Sequence, residues 1–554
     1  MSRSNNASKN NFILQGGILG IAGILTRIIG MLYRIPVTNI IGPKGNGYYA
    51  AAYQIYTIML LISSYSLPLA VSKLVSARVA AGRHKDAARL YKGALNFAFF
   101  TGLAVCLLVF FGADFFAGRV MSEPLSGIAL RVFAPTLLIV ALMGVVRGYF
   151  QGLGTMVPTA VSQIIEQIIN AVVSILAAKY LVDYGRRVGA LLRNDNFGAA
   201  YGAAGSSLGT GVGALAGLTF LGVALLFIKR TLYLRAKNED VGGERESYGS
   251  IIKVLLLTIL PVILSTAIYN ISELLSNSIF NKVMIMKGFE DTKSYIWGVY
   301  SGEYKILLNV PIALSNAMSS SVVPTLTSCM ASGNPKAARR RISQVMRFMM
   351  MVAFPCAAGL CVLAKPIMSM LFKDGYEMAA AMMHLGFINI ILYSVSTLSN
   401  GILQGINKMH IPVRNACIAL VLHVGVLLSL LKFTELGIYS VIVANFCFAG
   451  AMSLLNHMAI RRYLRYRQEK ARTFGIPAVC SAIMALFVWI IYKIFINMLT
   501  NTLTVIISMV AGAILYCVLL LRLRAISGRE IKAFPMGDRI LVILERLGLY
   551  WGDD

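Results

Sequence analysis

The sequence predicts an all-α fold: a polytopic membrane protein of about 14 transmembrane helices, built as two pseudo-symmetric six-helix lobes plus two C-terminal helices. Three observations carry this. Hydrophobic residues make up 57% of the 554 and charged residues only 13%, against about 25% charged in soluble domains, and the mean hydropathy is +0.72. Apolar stretches of near twenty residues or more recur along the chain with short polar turns between them. Two motifs of the first half return in the second.

In order, the expected spans are 12–41, 47–77, 93–117, 127–151, 157–182, 198–228, 251–281, 295–326, 342–371, 378–405, 411–432, 436–459, 475–499 and 502–523. Lys and Arg concentrate in alternate loops, such as Arg78 to Lys92 and Arg461 to Arg472. By this partition about 32 lie on one side and about 10 on the other, the asymmetry that marks the cytoplasmic side. The formal charge of +28 therefore reports topology and excludes nucleic acid as the expected partner. An even number of spans places both termini in the cytoplasm. The first span follows a polar stretch, 1–11, and is too long and arginine-bearing for a cleaved signal. All eight cysteines fall in or beside apolar spans without CxxC pairing, so no metal site is expected.

RGYFQGLGTMVP (Arg147 to Pro158) returns as NGILQGINKMHIP (Asn400 to Pro412), and LPLAVS (Leu67 to Ser72) as VPIALS (Val310 to Ser315). Each of the latter pair precedes a Gly and a basic helical stretch, AGRHKDAAR and SGNPKAARR. Duplication predicts an N-lobe at 1–228, a cytoplasmic linker at 229–250, a C-lobe at 251–460, two further spans within 461–525, and a cytoplasmic amphipathic tail at 526–554. Pro68 and Pro311 stand in the paired motifs; each removes a backbone hydrogen bond inside a span, making both hinge candidates.

Charge at bilayer depth needs a reason. Arg27 and Arg34 lie in the first span, seven residues apart and so on one helical face. That face must meet water or an anion. Thr266, Asn270, Glu273 and Asn277 form one polar stripe on the seventh span, and Ser162, Glu166, Asn170 and Ser174 form another on the fifth. Glu273 is the stronger coupling or gating candidate, with Glu166 beside it in class. Glu303 and Lys305 point to opposite sides of the eighth span. Lys305 is expected to join Arg27 and Arg34 at a cavity, and Glu303 to pair elsewhere. No P-loop is present, so nucleotide hydrolysis within the chain is not expected.

The opening TRIIGMLYRIPVTNIIGPKGNGYY, with LPLAVSKLVSARVAAGRHKDA, VPIALSNAMSSSVVPTLTSCMASGN and NGILQGINKMHIP, resembles the multidrug, oligosaccharidyl-lipid and polysaccharide flippase superfamily. Within it, the branch of stage V sporulation proteins, polysaccharide biosynthesis proteins and lipid II flippases is the most similar. The resemblance implies a transporter of the bacterial plasma membrane, with no covalent chemistry and no cofactor, that moves an undecaprenyl-diphosphate-linked saccharide among membrane lipids. It implies that Arg27, Arg34 and Lys305 hold the diphosphate, and that membrane potential or an ion gradient supplies the energy. Lipid II for peptidoglycan and cell shape is the leading substrate; a capsule or teichoic-type unit is the alternative, and a cation-coupled multidrug antiporter the third reading. The second span, AYQIYTIML, lacks the basic residue of the flippase pattern, and the eleventh span lacks a carboxylate for its sodium site.

Overall fold

The computed structural model describes residues 2–237 and 246–523, with side chains described for these except 2–18, 21, 231–233, 235–237 and 260–269. The expected tail at 526–554, the middle of the expected linker and the Thr266 side chain lie outside the described residues. Every regular element among the described residues is helical. Packing divides the chain into two compact units, 1–302 and 303–554.

The first unit holds α1 (Ser2–Ser63), α2 (Leu67–Ala80), α3 (His84–Asp114), a π-helical turn (Phe115–Val120), α4 (Ser126–Gly152), α5 (Val157–Leu192), α6 (Asn196–Lys237), α7 (Tyr248–Met286) and α8 (Glu290–Val299). A second π-helical turn, Tyr300–Tyr304, precedes α9 (Lys305–Ala331). The second unit continues with α10 (Pro335–Val362), α11 (Ala364–Leu371), α12 (Tyr376–Gly405), α13 (His410–Phe433), α14 (Tyr439–Leu464), a π-helical turn (Ala471–Gly475), α15 (Ile476–Phe495) and α16 (Asn501–Arg522).

Twelve described segments are long and apolar enough to cross a membrane. One of them, Ala22–Ala80, takes in the expected 47–77 span and residues 22–41 of the expected 12–41 span, and the seventh expected span is α7, of which only Tyr248–Ile259 counts among the shorter apolar helices. The first two spans are continuous because α1 bends instead of stopping. Gly42 takes φ 68° and ψ 173° inside it, a conformation open to a residue without Cβ, and Pro43 follows. The second expected span is in turn broken after Ser63, and Pro68 lies in the first turn of α2, where its missing N–H leaves no helical bond unmade.

Glycines set the register of the repeat. A Cβ on Gly148 would lie 2.7 Å from the Pro68 carbonyl oxygen, and one on Gly152 would lie 2.6 Å from the Val75 Cβ, so α2 crosses α4 at contact distance. In the second unit α9 crosses α12 the same way: Gly401 meets Ser319 and Gly405 meets Leu326. The loop glycines Gly82 and Gly333, both at positive φ, follow in the same register. By this packing Pro68 corresponds to Ser319. Pro311, two helical turns earlier inside α9, is not its equivalent, contrary to the motif alignment. Short apolar motifs slide along a helix at little cost in similarity, whereas a backbone crossing admits a glycine at one position only.

The first unit's core gathers Val37, Tyr49, Tyr56, Phe133 and Leu137, all buried. That of the second gathers Leu326, Met346, Met349, Leu398, Ile402 and Tyr466.

Candidate functional site

Arg34 sits two turns before the Gly42 bend, and the bend returns Tyr49 beneath it. The guanidinium carbon lies 4.1 Å from the Tyr49 ring centroid, a cation–π contact of about 0.5–2 kcal/mol. A ring supplies no acceptor for a guanidinium's five in-plane donors. Nη1 of Arg34 is buried without a hydrogen-bond partner, and no carboxylate pairs with Arg34 among the described residues. The site therefore keeps a fixed positive charge with donor capacity to spare. Arg27, two turns earlier on the same face, is exposed.

Polar side chains of α5 and α7 surround this part of α1. Asn170 donates to the Tyr33 hydroxyl at 3.2 Å, and Ser174 Oγ lies 2.9 Å from Asn170 Oδ1. On α7, Asn277 donates to Gln54 Oε1 at 2.8 Å, while Gln54 Nε2 lies 3.5 Å from Glu273 Oε1. Asn281 extends the stripe by one more turn, donating to Asn277 Oδ1 at 3.1 Å and to the Met121 carbonyl at 2.9 Å. Glu273 is exposed and Asn277 fully buried. Tyr53 has both Arg34 and Glu273 as electrostatic neighbours. The α7 stripe thus faces α1 through Gln54, and Asn270 stands at its half-buried upper end.

Glu166 faces a different partner. Arg147 Nη2 donates to it at 2.8 Å, and Arg147 Nε donates to Ser162 Oγ at 3.0 Å. Both charged groups keep partial exposure, 13% and 25%. The backbone of the same α5 stripe is closed by α6, since a Cβ on Gly213 would lie 2.6 Å from the Glu166 carbonyl oxygen.

In the second unit, Lys305 is half-buried at the start of α9. Glu303 is 1% exposed, and neither carboxyl oxygen has a hydrogen-bond partner among the described residues. The expectation that Glu303 pairs elsewhere is thus corrected. The π-helical turn Tyr300–Tyr304 is the physical reason: its extra residue breaks the regular helical period and leaves Glu303 buried, while the neighbouring Tyr304 hydroxyl lies 3.5 Å from the Gly386 carbonyl oxygen.

A further cluster closes the loop before α4. Ser294 donates to Glu123 at 2.7 Å, with Lys293 Nζ 3.7 Å away, and all three are buried. Burial pushes the Glu123 carboxyl above the usual range, although Lys293 and Ser294 pull the other way.

Sequence reasoning missed Arg147, Gln54, Asn281 and Tyr49. Arg147 opens the repeated motif, Asn281 continues the stripe at a spacing of four, and Gln54 is the lone amide of its span; each was a usable signal. Tyr49 carried none, because its role depends on the bend. Among the described residues no group of three or more His, Cys, Asp or Glu could hold a metal ion, and all eight cysteines are free.

The profile of the polysaccharide biosynthesis protein family matches residues 14–330, and that of the MatE family matches residues 305–428. The chain is 27% identical over 543 residues to the lipid II flippase MurJ of Bacillus subtilis (strain 168), covering 93% of this chain and 97% of that one. It is 24% identical to stage V sporulation protein B of the same organism, covering 97% and 100%. Its fold superposes on a solved structure of a lipid II flippase MurJ in an inward closed conformation with TM-score 0.62 at 13% identity, covering 90% and 97%. With the matching profile spanning more than half its length, this multi-pass bacterial membrane protein belongs to the polysaccharide biosynthesis protein family, within the multidrug, oligosaccharidyl-lipid and polysaccharide flippase superfamily.

Proposed function

We propose that this flippase translocates a polyprenyl-diphosphate-linked cell-wall precursor, lipid II first among them, from the inner to the outer leaflet by alternating access. The observation that carries the reading is Arg34: a guanidinium on a membrane helix, set on the Tyr49 ring and without a carboxylate partner among the described residues. Such a group costs at least ~2.5 kcal/mol at membrane depth unless it meets an anion, and a diphosphate offers acceptors for its free donors. The 27% identity to a protein named lipid II flippase supports the same substrate class.

In this proposal Arg27, Arg34 and Lys305 take the diphosphate, Glu273 with Asn270 and Asn277 couples or gates, and Glu166 and Glu303 are secondary gating groups. Pro311, inside α9, acts as a hinge, and the break between Ser63 and Pro68 serves as the second. Both termini lie in the cytoplasm, which reporter fusions at each end test. Outward passage of an anion runs down a negative-inside potential by ~2.3 kcal/mol per charge per 100 mV, so membrane potential supplies the drive.

The test is leaflet-resolved tracking of lipid-linked precursors in cells that depend on this chain. Arg34→Glu is expected to reduce translocation at least about tenfold, one lost charge-assisted bond being worth about 1.5–3 kcal/mol, while Arg34→Lys keeps part of it. Unchanged outer-leaflet precursor with both Arg27→Glu and Arg34→Glu would sink the reading. A capsule or teichoic-type saccharide is the second reading, favoured by the matching profile and by 24% identity to a sporulation protein; the lipid-linked species that accumulates on depletion decides between them.

A further inference from the structure

The connection after α14 carries a concentration of cations outside the candidate site. Arg461 and Arg462 lie in the last turn of the helix, Arg465 takes a left-handed φ of 50°, and residues 465–469, Arg467 among them, run without helical structure to Lys470 and Arg472. All six cations are exposed, and none has an ion-pair partner among the described residues. Glu469, the one acid of this stretch, pairs with Arg347 at 2.8 Å. The segment is anchored: Tyr466 is 5% exposed in the core beside Met346 and Ile402. Arg465 and Arg467, on either side of the buried Tyr466, are both exposed. Arg461 and Lys470 both lie within electrostatic reach of His457, which brings the far end of the segment back to α14.

Below the cations, the same face of α14 is apolar and uncovered. Phe446, Leu454 and Met458 are 44%, 61% and 59% exposed, and their spacing of eight and four places them on one stripe that Arg461 and Arg462 continue. Charge at the end of a membrane-crossing helix, above an exposed apolar stripe, matches the two-part chemistry of a phospholipid: a phosphate at headgroup level and chains alongside.

We propose that the outward face of α14, with the non-helical 465–469 segment, is a binding site for one anionic phospholipid. Arg461, Arg462, Arg465 and Arg467 hold the headgroup, and Phe446, Leu454 and Met458 line its chains. The site is independent of the transported substrate, and its test does not read transport.

The full chain in neutral detergent is titrated by native mass spectrometry with phosphatidylglycerol and with phosphatidylcholine of identical chains. Phosphatidylglycerol is expected to bind at least about tenfold tighter, and a variant carrying Arg461→Gln, Arg462→Gln, Arg465→Gln and Arg467→Gln to lose that preference. A charge-matched control with Lys336→Gln, Arg339→Gln, Arg340→Gln and Arg341→Gln should keep it. Should the fourfold variant fail to fold, Arg461→Gln alone is expected to weaken binding about fivefold. Equal binding of the two lipids, an unaffected variant, or equal losses in variant and control would overturn the site. Displacement by glycerol phosphate at equal concentration would overturn the lipid as occupant and leave a free anion in its place.

Discussion

The paired motifs around Arg147 and Asn400 build the same helix crossing and fill it with different chemistry. In the first unit Gly148 and Gly152 admit α2, and Arg147 reaches an ion pair with Glu166 beside Ser162. In the second, Gly401 and Gly405 admit α9, and Asn400 joins a network of amides and a hydroxyl that a charged group meets only at its exposed edge, where Arg414 donates to Asn415 Oδ1 at 3.3 Å. There Asn456 donates to Asn400 Oδ1 at 2.7 Å and to Ser399 Oγ at 2.9 Å, and accepts from Asn415 at 2.9 Å. The glycines are held by close contact, against backbone at Gly148 and against a side-chain hydroxyl first at Gly401. The polar positions answer only to local satisfaction, and they diverged: charge is kept where both groups retain exposure, and uncharged amides are used where Asn415 and Asn456 are fully buried.

Four substitution experiments break or sharpen this contrast. The largest effect is expected from Asn456→Leu, which strands the buried Ser399 and Asn415 and the half-buried Asn400 and should cost about 2–4 kcal/mol of unfolding free energy in detergent. Next come the glycines. Gly148→Ala drives its methyl against the Pro68 carbonyl oxygen and the Val71 Cβ, neither of which can rotate away, for about 1–3 kcal/mol. At Gly401 the nearest atom is the Ser319 hydroxyl, which can turn aside, so Gly401→Ala should cost about 1 kcal/mol less. Equal losses would mean the two crossings are not built alike. For the ion pair, Arg147→Met is expected to destabilise by only about 1–2 kcal/mol, because the remaining Glu166 can hydrate, and Arg147→Met with Glu166→Met to recover most of it. A loss as large as that of Asn456→Leu would contradict the exposure argument.

The smallest effect is a pH slope. Glu123 titrates above its unfolded range because of burial, so the folded chain binds its proton more tightly than the unfolded chain does. Its contribution is fully present below the ordinary carboxylate range and is lost as pH rises through the folded value. Thermal unfolding from pH 4 to pH 8 should show this decline in the natural chain, and Glu123→Gln should flatten it. A parallel decline in the variant would assign the slope to other groups.

Much of the fold was legible because it is written locally. A span needs only a run of apolar side chains, and the ends of α12, α13 and α16 fall within two residues of the expected 378–405, 411–432 and 502–523. Stripes on α5 and α7 were legible for the same reason, since a spacing of three and four defines a face without reference to neighbours. Their partners were not. Gln54 and Asn277 stand 223 positions apart in the chain, and nothing in either helix names the other. Glu303 shows the same limit: its direction follows from a π-helical turn, which a regular helical period cannot anticipate.

The sequence by itself determined a duplicated, all-helical membrane protein with fixed cations in its first span, because apolar run length, loop charge and glycine spacing act within a turn or a span. Tertiary structure alone decided that Arg34 stacks on Tyr49, that Glu166 belongs to Arg147, and that Ser319 rather than Pro311 matches Pro68. Those outcomes depend on how rigid helices cross, and a crossing brings together residues that local sequence cannot pair.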